Sequence, residues 1–396
     1  MFKVVQRELS SWNHCRFITT VITHSLRDNA GEITATRPNS TGPCIRKFST
    51  QSREMVKARK YVVVNHFVGE AKSTDLKLVE EELPPLQNGE YLVEAEYLSV
   101  DPYMRPYVQR FPRGITMIGS QVAKIIESKN PDFPVGKRIV GSLGWRTHTI
   151  VNPAVKDATQ ILPTYILPDI GDLPSSLALG VLGMPGNTAY FGLLEICKPK
   201  SGETIVISGA AGAVGSHVGQ IAKDLGMTVI GLCGSDEKCK WLTEELGFDS
   251  AINYKTMPVA ASLRKAAPQG VDCYFDNVGG DISGVVMYQM RPFGRIAVCG
   301  SISSYDANPS SLPKSTILQP VMVYNEMKME GFIVTRWADR WHEGIMHNLQ
   351  LIRKGKLRYR ETVTKGFENM FDAFIGMLRG KNVGKAIVQV CTPGHL

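Results

Sequence analysis

Eleven residues constrain this chain more than any others. Ile205-Val206-Ile207-Ser208 is a short β-branched run, and Gly209-Ala210-Ala211-Gly212-Ala213-Val214-Gly215 follows it directly and opens a segment of helical period. The turn reads A-x-G-x-x-G. Small residues at 210 and 212 let the backbone come close to a pyrophosphate, and Gly215 lets the helix pack on the strand. The free amides at the helix N-terminus then meet the negative charge. Such a turn carries weight only inside a βαβ repeat, and here the repeat is present.

From Glu203 to Val334, apolar β-branched runs alternate with helical segments. Strands are expected at Thr204 to Ser208, Thr228 to Leu232, Val271 to Asp276, Arg295 to Cys299 and Gly331 to Val334. Helices are expected at Gly212 to Leu225, Asp236 to Leu246 and Asp281 to Met290, with a further helical segment from Trp337 to Lys354. Fully apolar strands alternating with helices imply a parallel, doubly wound sheet. The end of the second strand chooses between the nicotinamide cofactors, because an acid there bonds the ribose hydroxyls of NAD while a cation accepts the extra phosphate of NADP. Gly234-Ser235-Asp236-Glu237-Lys238 puts no acid at the strand tip itself. Ser235 can cap the next helix, and Asp236 and Glu237 suit a first helical turn. Lys238 can reach back to a phosphate, so NADPH is the expected cofactor.

Tyr61 to about Leu182 has a different texture. Short β-rich pieces (Tyr61 to Val64, Tyr91 to Val100, Gln121 to Glu127, Arg138 to Val140, Thr147 to Val151) are broken by Pro84-Pro85 and Asn88-Gly89, which reads as a mostly β domain. Past residue 356 the pieces Leu357 to Val363, a helix near Asn369 to Leu378 and a strand Ala386 to Val390 can return to it. Between Ile45 and Ile196 there is no cysteine, and His66 and His148 are the only histidines, so this stretch lacks the Cys and His shell of tetrahedral zinc. The eight cysteines contain no Cys-x-x-Cys pair and read as small buried hydrophobes.

The net charge is +8, and residues 1–54 hold half of it. The body carries no run of five or six like charges, so nucleic acid is not an expected partner. No stretch of about 18 apolar residues marks a membrane span. Residues 1–54 are Arg-rich and hydroxyl-rich, and Arg46-Lys47-Phe48-Ser49-Thr50 looks like a processing site, whereas Met55 is itself placed to begin the folded body. The segment is expected to be a flexible N-terminal extension, either a transit peptide or the product of an alternative start. A cytoplasmic location is expected, or the mitochondrial matrix if residues 1–48 act as a transit peptide.

The glycine turn, Asp276-Asn277-Val278-Gly279-Gly280, Val100-Asp101-Pro102-Tyr103-Met104-Arg105, Gly183 to Leu194, Ser235 to Lys238, Asn253-Tyr254-Lys255, Cys299 to Tyr305 and Gly366-Phe367-Glu368-Asn369-Met370 together resemble the zinc-independent branch of the medium-chain dehydrogenase/reductase superfamily. The similarity runs from Met55 to about Val390. It implies a GroES-like β domain (55–183 plus 356–396) and a Rossmann domain binding NADP (184–355), with the cofactor between them and no metal. It also implies a monomer or a homodimer joined through sheet edges, with Lys328 to Val334 available as the edge. Cofactor contacts carry over to Gly212, Ala213, Val214 and Gly215 on the pyrophosphate, Lys238 on the adenosine phosphate, Tyr254 near the adenine, and Asn277. The rest fall on Cys299, Gly300, Ser301, Ile302, Ser303, Ser304 and Tyr305, on Phe332, Ile333 and Val334 by the nicotinamide, and on Asn382. Ser301, Asn187 and Pro106 depart from the pattern.

The implied activity is NADPH-dependent reduction of the α,β double bond of enones and enals, among them 15-oxo-prostaglandins and 2-alkenals, with NADP-dependent oxidation of the leukotriene B4 12-hydroxyl in the other direction. An enone accepts hydride at its β carbon and spreads the charge into an enolate, so what the protein must add is a hydrogen-bond donor for the oxyanion and a proton source. Tyr305 and Tyr324 are the catalytic candidates. Tyr103 is expected at the substrate, and Arg110 at a substrate carboxylate. The partners are therefore small lipid-derived carbonyl compounds. A zinc-free NADPH quinone oxidoreductase shares the architecture, although the Asp-Pro-Tyr-Met-Arg and Phe-Glu-Asn-Met motifs speak against it. A non-catalytic protein that keeps the nucleotide fold is the third reading, and the intact glycine turn speaks against that one.

Overall fold

The computed structural model describes residues 55–155, 157–307 and 315–390. The segment read as an N-terminal extension, residues 1–54, lies outside the described residues. Six parallel strands form one sheet in the order Ser250–Asn253, Thr228–Cys233, Thr204–Ser208, Val271–Asp276, Met290–Val298 and Lys328–Gly331. Numbered along the chain this is 3-2-1-4-5-6, so the direction of winding reverses between Ser208 and Asp276, where ligands of open α/β sheets bind. Alternation along each strand feeds two cores. Ile205, Ile207, Val229 and Phe275 pack against Val218, Ile221, Trp337 and Ile345 on one face. Val206, Ile230, Tyr274 and Ile296 pack against Leu263, Val286 and Val321 on the other. A strand covered on both faces needs apolar residues at every position, which is why these runs were legible.

The other domain holds an antiparallel sheet built around Tyr91–Ser99, which pairs with Gln121–Ser128, His148–Val151 and the C-terminal strand Lys385–Gln389. Glu361–Lys365 lies parallel to that last strand. Val56–Val63 and Leu76–Leu83 form a separate antiparallel pair. The core joins early and late sequence, because Phe367, Met370 and Phe374 pack with Tyr61, Phe67 and Trp145. The C-terminal segment thus completes the β domain after the chain has built the nucleotide sheet.

Several elements differ from expectation. The last parallel strand is Lys328–Gly331, and Val334 already begins the helical segment Val334–Arg340. An edge strand with Lys328 and Met329 exposed lacks the apolar signature of its inner neighbours. The helix expected to reach Met290 ends at Met287, and Met290 opens the next strand. Ser250–Asn253, Leu76–Leu83 and the helix Val259–Ala266 are additional.

A buried ion pair ties the start of the 101–110 segment to the C-terminal strand. Lys385 Nζ donates to Asp101 Oδ1 at 3.0 Å and to the carbonyls of Val100 and Ala386 at 2.8 Å, while Ser99 Oγ donates to the other carboxylate oxygen. Burial holds the Lys385 ammonium below the usual lysine range, against the pull of Asp101. Removing one charge strands the other in the core, so Asp101→Asn is expected to cost roughly 3 kcal/mol of stability. Urea unfolding checks this, and an unchanged midpoint would contradict it.

Candidate active site

The glycine turn lies at the winding reversal. Gly209 takes φ +59°, the Gly212 amide donates back to its carbonyl at 3.0 Å, and the ten-residue helix Gly215–Asp224 begins at once. A Cβ on Gly215 would stand 2.6 Å from the Gly209 oxygen and 2.8 Å from Ala210 Cα, so glycine here is a requirement of the fold. At Gly212 a Cβ would meet only the Gly209 oxygen, at 3.2 Å, and otherwise open space. The concavity is therefore bare main chain beside a helix N-terminus, which suits a diphosphate. Ala213 and Val214 complete it. From the β domain, the Gly384 amide donates to Ala211 O at 2.9 Å and Asn382 Nδ2 donates to Gly384 O at 2.8 Å, which puts Asn382 beside the turn.

Across the reversal, Asn277 donates from its amide side chain to Ser208 O at 2.7 Å and from its backbone to Ser208 Oγ at 2.9 Å. Asp276 accepts from Ser208 Oγ, Tyr274 and the amides of Val278 and Gly279. Asn277 therefore clamps the two strand tips, and its side-chain amide is already engaged.

At the tip of the second strand, Ser235 Oγ accepts from the Lys238 amide and caps the helix Asp236–Lys240. Lys238 Nζ donates to the Gly380 carbonyl of the β domain at 2.7 Å. Burial lowers its pKa, and the neighbouring Lys255 lowers it further. Asp236 is turned to Asn253 Nδ2, at 2.7 Å. Tyr254 and Lys255 close over Gly234, where a Cβ would lie 2.7 Å from the Tyr254 hydroxyl. Two ammonium groups and a phenol thus gather where the strand ends, a donor set suited to a phosphate monoester. Cys233 and Cys239 lie beneath them with sulfurs 3.2 Å apart, and burial pushes both thiols up, Cys233 to about 12.

The loop 299–307 leaves the fifth strand over the crevice. The amides of Cys299 and Gly300 donate to Asp276 O, that of Ile302 to Asn277 O and that of Ser303 to Val278 O. Ser303 Oγ also donates to Val278 O, and Ser304 Oγ donates to Ser301 O. Tyr305 folds back so that its phenolic oxygen accepts from the Ser301 amide at 3.4 Å. Burial raises its pKa and the Ser301 hydrogen bond opposes the shift, so the phenol is held as O–H. Burial also pushes the Cys299 thiol up to about 12, which removes it as a nucleophile at neutral pH.

The remaining candidates are placed unevenly. Phe332 and Val334 are buried, the Phe332 ring packing on Phe275 and Trp337, so this stretch offers the crevice main chain rather than side chains; Ile333 is half exposed. Tyr103 packs edge-on to Tyr107 at 5.6 Å, and burial followed by Asp101 raises its pKa. Arg110 is exposed and lies over the Tyr107 ring at 4.4 Å. Tyr324 ends the helix Gln319–Tyr324 with its side chain 90% exposed and is not brought into this group. Sequence reasoning passed over Tyr107, which the i, i+4 spacing from Tyr103 could have flagged. It also passed over Asp306, bonded to Arg105. Among the described residues, no three His, Cys, Asp or Glu side chains come together as a metal-ligand set, and no helix is long and apolar enough to cross a membrane.

Residues 59–160 match the family described as the N-terminal domain of oxidoreductase, and residues 213–350 the family described as zinc-binding dehydrogenase. Prostaglandin reductase 1 of Sus scrofa is 50% identical over 337 residues, covering 85% of this chain and all of the relative. The NADP-dependent 2-alkenal reductase of Nicotiana tabacum is 37% identical over 85% of this chain and 98% of its own length. The crystal structure of CurA from Vibrio vulnificus in complex with NADPH superposes with a TM-score of 0.77 at 39% identity, covering 85% of this chain and 100% of that one. The sheet order, the bare glycine cradle and these likenesses agree, and the chain belongs to the medium-chain dehydrogenase/reductase superfamily, within its prostaglandin reductase family.

Proposed function

We propose that the chain is an NADPH-dependent reductase of the α,β double bond of enones and enals, acting on 15-oxo-prostaglandins and 2-alkenals, with NADP-dependent oxidation of the leukotriene B4 12-hydroxyl in the opposite direction. One observation carries this reading: Asn277, clamped to Ser208 beside the glycine cradle at the winding reversal, also anchors the loop that bears a phenol held protonated. The turn from Gly212 to Gly215 takes the pyrophosphate, with the amides of Ala213, Val214 and Gly215 as the donors, and Lys238 and Tyr254 take the adenosine phosphate and adenine side. Asn277, the loop Cys299 to Tyr305, the main chain of Phe332 to Val334 and Asn382 line the remainder. When bound, the reduced nicotinamide supplies hydride to the β carbon of the substrate.

The chain's own residues manage charge and protons. Tyr305 donates its hydroxyl hydrogen to the carbonyl oxygen as negative charge builds there, a role that demands a phenol still protonated at working pH. Burial meets that demand. The donor role goes to Tyr305 rather than Tyr324, because Tyr305 is partly buried in the loop anchored to Asn277 beside the turn, whereas Tyr324 is 90% exposed. Tyr103 and Tyr107 offer aromatic walls to an alkyl chain, and Arg110 meets a terminal carboxylate at the rim. We place the protein in the cytoplasm, and mass spectrometry of the natural N-terminus tests this, since a start near Ser49 would move it to the mitochondrial matrix.

Absorbance at 340 nm with 15-oxo-prostaglandin E or 4-hydroxynonenal tests the activity. Consumption of NADPH is expected, and Lys238→Ala is expected to raise the KM for NADPH about tenfold while leaving that for NADH nearly unchanged, as for loss of one charge-assisted hydrogen bond. No consumption with any enone would end this reading, and higher kcat/KM on quinones would reassign the substrate class.

A further inference from the structure

The structure assigns Arg105 and Asp306 as a positioning pair that straps the Tyr305 loop of the nucleotide domain to the substrate-side helix of the β domain. Arg105 sits in the four-residue helix Met104–Tyr107, between Tyr103 and Tyr107. It is 1% exposed, although it is an arginine. Its base is fixed, because Nη2 donates to Gly69 O at 2.5 Å and the guanidinium lies over the Phe67 ring at 5.1 Å. Its Nε donates to Asp306 Oδ1 at 3.1 Å. Among the described residues, Nη1 is buried without a partner, and Asp306 and Gly69 supply the hydrogen bonds that compensate this buried cation.

Asp306 directly follows Tyr305, and its side chain is 49% exposed. The other anchors of the loop, to Asp276, Asn277 and Val278, lie within its own domain. Among the described residues, Arg105 makes the one hydrogen bond or ion pair that reaches this loop from the β domain. A rigid, fork-shaped donor therefore fixes where Tyr305 stands relative to Tyr103 and Tyr107, the two tyrosines proposed above as substrate walls. Positioning of this kind acts on rate more than on binding, because a displacement of about 1 Å at a proton donor costs up to 10²-fold.

This assignment rests on Tyr305 as the donor, as proposed above, and the test separates the two. Asp306→Ala is expected to lower kcat with an enone 10- to 100-fold while the KM for NADPH moves less than threefold. Asp306→Glu, which keeps the charge, is expected to recover most of the rate. If the pair acts through Tyr305, the double variant Tyr305→Phe/Asp306→Ala turns over no more slowly than Tyr305→Phe alone. A second readout needs no activity: in the cofactor-free protein, hydrogen exchange across residues 299–307 is expected to speed up at least tenfold in Asp306→Ala and to stay near wild type in Asp306→Glu. Losses that multiply in the double variant, or unchanged exchange, would overturn the strap. A wild-type protein inert toward enones would end the functional reading instead, and the exchange comparison would still decide the strap.

Discussion

Gly212→Asp is expected to weaken NADPH binding at least about 100-fold while leaving the melting temperature within a few degrees of the wild type. The two halves of that expectation come from the same geometry. A Cβ at this position meets a single atom, the Gly209 oxygen at 3.2 Å, and beyond it lies the open concavity in front of the helix Gly215–Asp224. The fold can therefore accept a side chain with a shift of a few tenths of an ångström. The ligand cannot. A carboxylate on that Cβ takes the hydrogen-bond donors meant for the pyrophosphate and sets a negative charge against another in a partly dehydrated cleft. About 3 kcal/mol of lost binding, of the order of two charge-assisted hydrogen bonds, corresponds to about 150-fold.

Gly215 provides the contrast. Its Cβ would press on Gly209 O at 2.6 Å and on two backbone atoms of Ala210, so Gly215→Val should lose the fold together with the cofactor. Fluorescence titration with NADPH alongside a thermal melt separates the positions. A Gly212→Asp protein that binds NADPH as well as wild type would remove the glycine turn from the site.

The turn was legible because its physics is local. Three small residues at fixed spacing, a β-branched run before them and a helical period after them state both the conformation and the ligand chemistry. The inner strands were legible for a related reason, since a position buried from both faces admits only apolar residues, as along Val271–Asp276. The position of Lys238 in the helix after the second strand was legible because Ser235 is an evident cap one helical turn before it. Other features depend on which distant segments meet. The winding reversal between Ser208 and Asp276 is a fact of strand order, and a βαβ pattern leaves the order open. Lys328–Gly331 sits at an edge where one side needs no partner, so its sequence carries polar residues and the expected strand slid onward to Val334.

The ion pairs were hidden most completely. Arg105 and Asp306 are 201 residues apart and Lys385 and Asp101 are 284 apart, and nothing in the neighbourhood of either lysine or arginine marks it as buried. Tyr324 and Tyr305 looked equivalent as phenols near the end of the nucleotide domain. Their exposure, set by tertiary packing, distinguishes them.

Tyr305→Phe is expected to lower kcat for enone reduction by 10² to 10³-fold, the range for loss of one preorganised donor to a developing oxyanion, with little change in NADPH affinity. Phenylalanine keeps the ring and removes only the hydroxyl, whose one hydrogen-bond partner among the described residues is the Ser301 amide at 3.4 Å, so the loop should hold. The pH dependence supplies an independent sign. Burial raises the phenol above its ordinary value near 10, hence the donating O–H form persists through neutral and mildly alkaline solution. Wild-type kcat should stay flat across that range and fall only above the usual tyrosine pKa, where the phenolate can no longer donate. The Phe variant, lacking the group, should lose that alkaline limb and keep a low, level rate. A variant that retained both the wild-type rate and the alkaline fall would show that the oxyanion takes its hydrogen bond from another group, and the assignment of Tyr305 would fail.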